Sequence, residues 1–341
     1  MGGGIAPTIT TPPVLAWTVE IGNSPTLTDP VYTGDTGTIT WTLYRDGVAD
    51  GTIAGVSKAT AEAYAAAWSG TNTGVNDIGN ANGVVPLVFR ATVTNGSGSD
   101  SADSNAVAFD DATYLPDAVI GGSTGTLVLA DSDTTVDSWE SDWGGLAWTG
   151  VAPSSSRRPA YSATGGVGSN PVVTGDGSND YLSGTLTKSS SWASMELGFA
   201  GTAGTIEPIA GRIVGYYASA GARISVLRYS PREEINAFRN DGSSTQTDDT
   251  ANRDGQTGHW AARSDATNLS VMLNGAVTSS AGSAQSAAFA DGGTLRLFAY
   301  AGGTSNYSKS SIQAWYCSTA LTSDQRTHLR ALLTGLTGIA C

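Results

Sequence analysis

The chain has 341 residues, 44 of them glycine, and its 30 acidic against 17 basic side chains give a formal net charge of −13. That charge repels phosphate backbones and anionic headgroups, which excludes nucleic acid and anionic membrane as partners, and no stretch is apolar enough for a spanning helix. The length accommodates two or three domains, and a composition rich in Gly, Ser and Thr predicts an all-β fold.

Residues 1–13, rich in Gly, Pro and Thr, are expected to form a flexible or docking arm. The first basic residue is Arg45, so the start of the chain carries no basic region of the kind that opens a Sec-type signal peptide. A first domain is expected over 14–110. Within it, Gly37 to Tyr44 alternates, with Ile39, Trp41 and Leu43 on one face, and Arg45-Asp46-Gly47 makes the turn. Ala59 to Trp68 is the one helix-like stretch. Leu87 to Thr94 is a strand, Asn95-Gly96 a hairpin turn, and Ser104 to Phe109 the returning strand. Residues 111–118 read as a linker.

A second domain is expected over 119–341. Three tryptophans, Trp139, Trp143 and Trp148, crowd one short segment, followed by Arg157, Arg158 and Tyr161. Asp176-Gly177 supplies a tight turn across which Asp180 can accept backbone hydrogen bonds. Strand patterns follow at Ser194–Phe199, Arg223–Val226 and Glu234–Phe238. Leu269 to Val277 alternates around Asn274-Gly275, both of which tolerate positive φ, and so predicts a hairpin. Strands at Thr294–Gly303 and Ser311–Cys317 come next. The closing segment predicts a helix: Thr322 and Gln325 fit a capping box, and Leu329, Leu332, Leu333 and Leu336 share one face. Cys317 and Cys341 pair only if the chain end folds back beside the strand of Cys317; the favoured reading is two free thiols.

Several of these segments carry a resemblance. Trp41 through Gly47, with Val93-Thr94-Asn95-Gly96-Ser97-Gly98, resembles bacterial and phage Ig-like domains, in which a W-x-x-x-x-D-G strand and turn precede a late V-T-N-x-x-G hairpin. Asp77-Ile78-Gly79 resembles the turn entering the penultimate strand, with Asn80 to Pro86 inserted after it. Ser156 to Tyr161, Asn170 to Leu182, and the final order of hairpin, two strands and helix resemble concanavalin A-like (laminin-G-like) jelly rolls of phage and bacterial surface proteins. Thr174-Gly175 departs from that pattern where an apolar residue is usual. The resemblance implies an Ig-like β-sandwich followed by a jelly-roll sandwich with a short closing α-helix. Antibody-type domains have a disulfide that is absent here, so Trp41 would fill that core by packing alone.

Jelly rolls of this kind mostly bind sugars or build surfaces. Trp139, Trp143, Trp148 and Tyr161 offer flat amphipathic rings to a sugar, and Arg157 and Arg158 could grip an acidic polysaccharide; the competing reading is that the tryptophans fill the core. Glycosidases of this fold hold two carboxylates across the scissile bond, in a Glu-x-Asp-x-x-Glu arrangement that none of the seven glutamates forms, so the protein is expected not to be an enzyme. With His259 and His328 as the only histidines, a Ser-His-Asp triad or a zinc site has little to draw on. Asp131, Asp133 and Asp137, and Asp241, Asp248, Asp249 and Asp254, invite calcium, but turn capping is the favoured reading and no cofactor is expected. The expectation is a bacteriophage or phage-like virion protein (head fibre, spike, decoration or tail-fibre component), made in the host cytoplasm and present in many copies. Its arm and Ig-like domain would attach to other virion proteins, and its jelly roll would touch host-surface glycan without cutting it. The alternatives are a purely structural particle protein, and a secreted bacterial lectin or polysaccharide-degrading enzyme.

Overall fold

A computed structural model describes residues 4–17, 25–45, 47–49, 53–66, 84–110, 115–141, 143–204, 211–218, 222–229, 234–240, 244–249, 251–282, 284–299, 307–319 and 321–340. The chain divides into two compact units, Met1–Tyr114 and Leu115–Cys341. Both are built almost entirely of strands: an Ig-like β-sandwich, then a concanavalin-like jelly roll with a closing helix.

In the first unit, β1 (Thr8–Thr11) pairs with β4 (Val31–Thr33), and β2 (Val14–Ala16) with β3 (Thr26–Thr28). The main sheet runs β6-β5-β7-β8, from β5 (Thr38–Arg45), β6 (Val48–Ala49), β7 (Val84–Asn95) and β8 (Gly98–Asp103), and β9 (Val107–Asp110) also pairs with β7. The arm expected over 1–13 is therefore corrected. Thr8–Thr11 is a strand, tied down by β4 and by the Ile9 N–H, which donates to the Asp100 carboxylate at 2.7 Å. The helix-like stretch is helix α1 (Lys58–Ala66), with the Ser57 hydroxyl accepting the Thr60 N–H as a cap; residues 67 and 68 lie outside the described residues. Glu62 on α1 accepts the Leu27 N–H at 2.9 Å. Trp41, Leu43, Phe89 and Val93 are fully buried, so the core closes around Trp41 by packing. Asp77-Ile78-Gly79 and the first part of the insertion after it lie outside the described residues, whereas Val84, Val85 and Pro86 already belong to β7, opposite β9. The linker expected over 111–118 is also shorter at its far end. Leu115 is buried and its carbonyl accepts the N–H groups of Ala118 and Gly145, so residues 115–118 belong to the second unit.

The second unit opens with β10 (Ala118–Gly122), β11 (Leu127–Ala130), β12 (Thr135–Glu140), β13 (Thr149–Val151), β14 (Ala160–Ser162), β15 (Val172–Thr174) and β16 (Leu182–Leu186). It continues with β17 (Met195–Thr202), β18 (Gly211–Tyr217), β19 (Arg223–Tyr229), β20 (Glu234–Asn240) and β21 (Ser244–Asp248). It ends with β22 (Thr257–Ser264), β23 (Asn268–Leu273), β24 (Ala276–Gly282), β25 (Gly293–Leu297), β26 (Ser311–Ser318) and helix α2 (Ser323–Thr337). Antiparallel pairing builds one layer in the order β24-β23-β22-β17-β26-β10, and a second in the order β21-β20-β19-β18-β25-β16-β13-β12-β11. β14 and β15 stitch the two layers together, through Ala160 opposite Thr135 and Val173 opposite Ile312.

Alternation then decides which side chains go inside. Leu197, Phe199, Trp260, Trp315 and Cys317 of the first layer meet Leu182, Leu297, Val214, Tyr216, Ile224 and Val226 of the second in one core. Two cations enter that core. Lys188 donates to the Phe289 carbonyl at 2.9 Å with its ammonium 4.5 Å from the ring centroids of both Trp192 and Tyr216, and burial lowers it to about 8. Arg239, fully buried, donates to Ser264 across the layers at 2.9 Å. Cys317 is a buried free thiol that burial pushes up to about 12, and Cys341 lies outside the described residues.

The hairpin turn at Asn274-Gly275 has φ of 48° and 77°, as its sequence requires. Thr322 and Gln325 form the full capping box, and Gly338 ends α2 in the left-handed region. Leu329, Leu332, Leu333 and Leu336 of α2 are buried against β26, β10 and β17, so the helix covers the outer face of the first layer.

Candidate functional site

Helix α2 covers one outward sheet face; the other bears a row of side chains that registry alone defines. Val128 (β11) is opposite Ser138, which is opposite Val151, then Ser183, Arg296, Gly215, Ser225, Phe238 and finally Gln246 (β21). Directly paired residues in antiparallel strands point the same way, so these nine positions share the outer face. Their neighbours along each strand, such as Leu182, Leu295, Leu297, Val214, Ile224 and Val226, point into the core. The middle of the row is low: Ser183, Gly215 and Ser225 have small side chains or none. On one side stand Thr185, Thr294, Tyr217, Arg223 and Asn240, and on the other Arg212 and Leu227. The ends of the row, Val128 and Gln246, are exposed, and solvent also reaches Val151, Ser183, Arg296 and Phe238, whereas Gly215, Ser225, Tyr217, Arg212 and Leu227 are buried. The Ser225 hydroxyl is fully buried and has no hydrogen-bond partner among the described residues. A Cβ at Gly215 would collide with the Tyr217 hydroxyl end, so the absence of a side chain there lets Tyr217 lie across the middle of the row.

Arginines and tyrosines gather beside the middle of the row. Arg296 donates from Nε to Ser183 at 3.1 Å, and its guanidinium lies 5.3 Å from the Tyr181 ring centroid. Arg157 approaches the same ring at 5.6 Å and donates to the Tyr307 hydroxyl at 3.3 Å. The Tyr181 and Tyr307 rings stand 6.1 Å apart and form a small cluster with Ala299. Arg212 lies over Phe238 at 5.2 Å. Of the six residues singled out in the sequence, Arg157 is the one that joins this group.

The tryptophans do not. Trp139 and Trp148 lie in the sandwich core, edge-on to Trp315 with centroids 6.2 and 4.7 Å away. Trp143, 5% exposed, lies on the helix-covered side: it bridges to Ile120, and a Cβ at Gly122 would meet both Trp143 and Leu336. None of the three offers a face to a ligand, which corrects their expected role. The local crowding resolves into three burials because Trp315, Gly121 and Leu336, distant in sequence, shape the pockets they fill. Tyr161 packs against the edge of the core from β14, with its N–H on the Thr134 carbonyl. Arg158 is committed to Asp137, at 2.7 and 2.9 Å, and reaches Asp131 at 3.4 Å. A bulge opposite Val128 and Leu129 turns the Asp137 side chain outward to meet it. The hydrogen bond that Arg158 donates to Asp137 raises the Arg158 pKa, and Asp131 is held low first by Thr135 and then by Arg158.

Three of the carboxylates considered for calcium have arginine partners. Asp131 and Asp137 face Arg158, and Asp249 pairs with Arg253 at 2.8 Å. Asp241 lies outside the described residues. No group of three or more metal-ligating side chains occurs among the described residues.

The turn at Asp176 is built as the sequence indicates. One Asp176 oxygen accepts the N–H groups of Ser178, Asn179 and Asp180, and Asp180 accepts the Asp176 N–H at 3.1 Å. Burial opposes ionisation of Asp176, but the three N–H donors prevail and its pKa is lowered; burial and the Asp176 charge push Asp180 up to about 6. The loop holds Tyr181 in place beside Arg157, whose carbonyl accepts the Tyr181 N–H. Phe298, with φ of 68°, turns the chain out of β25 toward Ala299 and Tyr307, a left-handed conformation that a bulky residue adopts only under constraint.

A second concavity, about 320 Å³ counting the solvent at its mouth, lies between α2 and the first layer, lined by Glu196, His259, Met272, Tyr316, Leu329 and Arg330. Its polar groups are already engaged: Glu196, 2% exposed, accepts from the Tyr316 hydroxyl at 2.9 Å and from Arg326 at 3.3 Å. Burial, together with the Arg330 charge, lowers His259 to about 4. This crevice serves the docking of the helix.

No family model matches the sequence, and no curated protein matches it. Among solved structures, the chain is similar to domain 4 of AbnA, a GH43 extracellular arabinanase from Geobacillus stearothermophilus, in complex with arabinotriose, at 17% identity over 50% of this chain and 80% of that one, with a TM-score of 0.36. It is similar to the botulinum neurotoxin serotype D ligand-binding domain in complex with N-acetylneuraminic acid, at 10% identity over 47% of this chain and 41% of that one, TM-score 0.37. It is also similar to Trypanosoma rangeli sialidase, at 7% identity over 72% of this chain and 43% of that one, TM-score 0.42. The chain thus spans well under two thirds of the toxin and sialidase chains. These identities and scores are too low to carry a residue or a ligand from any of them to this chain.

Proposed function

We propose that the second unit is a non-catalytic carbohydrate-binding module whose ligand lies along the row from Val128 to Gln246. The carrying observation is the asymmetry of its two outward faces. One is sealed by α2, while the other keeps Val151, Ser183, Arg296, Phe238 and Gln246 within reach of solvent, a mixture of hydroxyl, amide, guanidinium and apolar groups that suits a sugar's apolar face and its hydroxyls. Absence of hydrolysis is supported by the employment of the described carboxylates nearby. Asp131 and Asp137 answer Arg158, and Asp176 and Asp180 bind one another's backbone. Two carboxylates facing each other across a sugar bond would be needed for cleavage.

The wider proposal is a bacteriophage or phage-like particle protein that displays this module to host-surface glycan, with the first unit attaching it to the particle. Its support is the resemblance carried by Trp41–Gly47, Val93–Gly98 and Ser156–Leu182, and multiple copies would turn modest single-site affinity into firm attachment. The test of the module is retention on candidate capsular polysaccharide, followed together with release of shorter chains, for the parent and for Phe238→Ala, with thermal unfolding as the folding control. Retention without shortening, lost in Phe238→Ala at unchanged fold, is expected; shortening would make the protein a depolymerase. The particle setting is tested by antibody labelling of particles released on lysis, and label confined to the soluble secreted fraction would refute it.

A further inference from the structure

We propose that Asn95-Gly96, at the exposed turn between β7 and β8, is a site of spontaneous chemical modification, in which Asn95 becomes a carboxylate and thereby unfastens the opening segment of the chain. Three Asn-Gly pairs occur in the sequence; Asn82-Gly83 lies outside the described residues, and the other two differ in setting. Asn95 bonds to its own turn: its Oδ1 accepts the Ser97 N–H at 2.8 Å, closing a ring that contains the Gly96 nitrogen and drawing electrons from Cγ. Gly96 is exposed, with open space where a side chain would stand, so nothing shields that nitrogen. Asn274 instead turns to the neighbouring strand, its Oδ1 accepting the His259 N–H at 2.9 Å, and Gly275 beside it lies under the Arg330 guanidinium. In the reaction the Gly96 nitrogen attacks Asn95 Cγ, the new C–N bond closes a succinimide, and the side-chain nitrogen leaves as ammonia with the proton that Gly96 gave up. Water then opens the ring at either carbonyl to aspartate or isoaspartate, with no oxidant or reductant involved; asparagine owes its thermal lability to this route.

The amide that is lost is a clasp. Its Nδ2 donates to the Ile5 carbonyl at 2.9 Å and to the Asp35 carbonyl at 3.1 Å, while the Asp35 carboxylate accepts the Ile5 N–H at 2.8 Å. A carboxylate only accepts, so the product sets negative charge against two carbonyl oxygens and beside Asp35. Residues 4–7, which lead into β1, then lose their tie to the turn.

The test incubates the full chain in mildly alkaline buffer, follows the Asn95 and Asn274 peptides by mass spectrometry, and reads amide hydrogen exchange at Ile5 and Asp35. Asn95 should convert about 10- to 100-fold faster than Asn274, and Gly96→Ala, which the open space accommodates, should slow Asn95 by a similar factor. Exchange at Ile5 and Asp35 should quicken in step with conversion, and from the outset in Asn95→Asp, while Trp41 and Val93 stay protected in the core. If Asn95 converts no faster than Asn274, the site is refuted. If it converts and exchange at Ile5 and Asp35 does not change, the unfastening is refuted. Loss of protection at Trp41 and Val93 as well would mean unfolding of the unit rather than release of the segment, and would overturn the proposal equally. Should Asn95→Asp fail to fold, the conversion of the parent carries the test by itself.

Discussion

Replacing Trp148 with alanine separates a core tryptophan from a sugar platform. Trp148 is 3% exposed, stands edge-on to Trp315 at 4.7 Å, and lies against Gly150 and Gly184, where no side chain competes for the space. Truncation removes the indole's buried surface and leaves a cavity that the two flanking strands cannot close, a loss of about 3–5 kcal/mol for a buried Trp. The edge-to-face pair is worth about 0.5–1.5 kcal/mol of that total. In a unit of this size each kcal/mol lowers Tm by about 2–4 °C, so Tm should fall by about 6–20 °C. Differential scanning calorimetry measures this directly, and glycan retention measured well below the new Tm should match the parent. A Trp148→Ala protein that melts within 2 °C of the parent yet loses retention would refute the placement of this side chain in the core.

Arg326→Leu should destabilise the second unit by about 3–5 kcal/mol in urea unfolding, because it leaves the Glu196 carboxylate, 2% exposed, without its cation. Thr322→Ala removes the capping box of α2 and should cost about 1 kcal/mol, read as a small drop in the urea midpoint with glycan retention unaffected. His259 stays neutral in the fold until about pH 4 and titrates near 6.5 when unfolded, so its contribution is intact above 6.5 and declines as pH falls toward 4, by about 3 kcal/mol in all. His259→Gln should flatten that acid slope in urea midpoints between pH 7 and 4. Asp180, raised to about 6, acts with the opposite sign: the fold loses stability as pH rises from about 4 to 6, a slope that Asp180→Asn removes.

What the sequence disclosed was what neighbouring residues decide among themselves. Asn274-Gly275 dictates its turn through its own φ preferences, and Thr322 and Gln325 close a capping box within one helical turn. The Asp176 turn is likewise a matter of five residues. The outer row is the reverse case. Its middle joins Ser183, Gly215 and Ser225 through pairings between distant strands, and none of these residues is distinctive by itself. A faint signal was present in the period of two: Arg296 sits between Leu295 and Leu297, and Ser225 between Ile224 and Val226, each a polar position on strands whose alternate residues are core. The same rule fails at Arg239, which occupies an inward position and crosses to Ser264. Trp139, Trp143 and Trp148 misled because crowding along the chain says nothing about what stands opposite in space.

The row that crosses the second layer begins and ends on exposed side chains, Val128 at one sheet edge and Gln246 at the other. Its eight strand-to-strand steps of about 4.8 Å give a path of about 38 Å. Under the carbohydrate-binding proposal, an occupant following that path would be held along its interior rather than at its tip, at the solvent-reached positions on either side of the buried Gly215 and Ser225, and a polymer would tighten its hold as it lengthened from one stretch to the next.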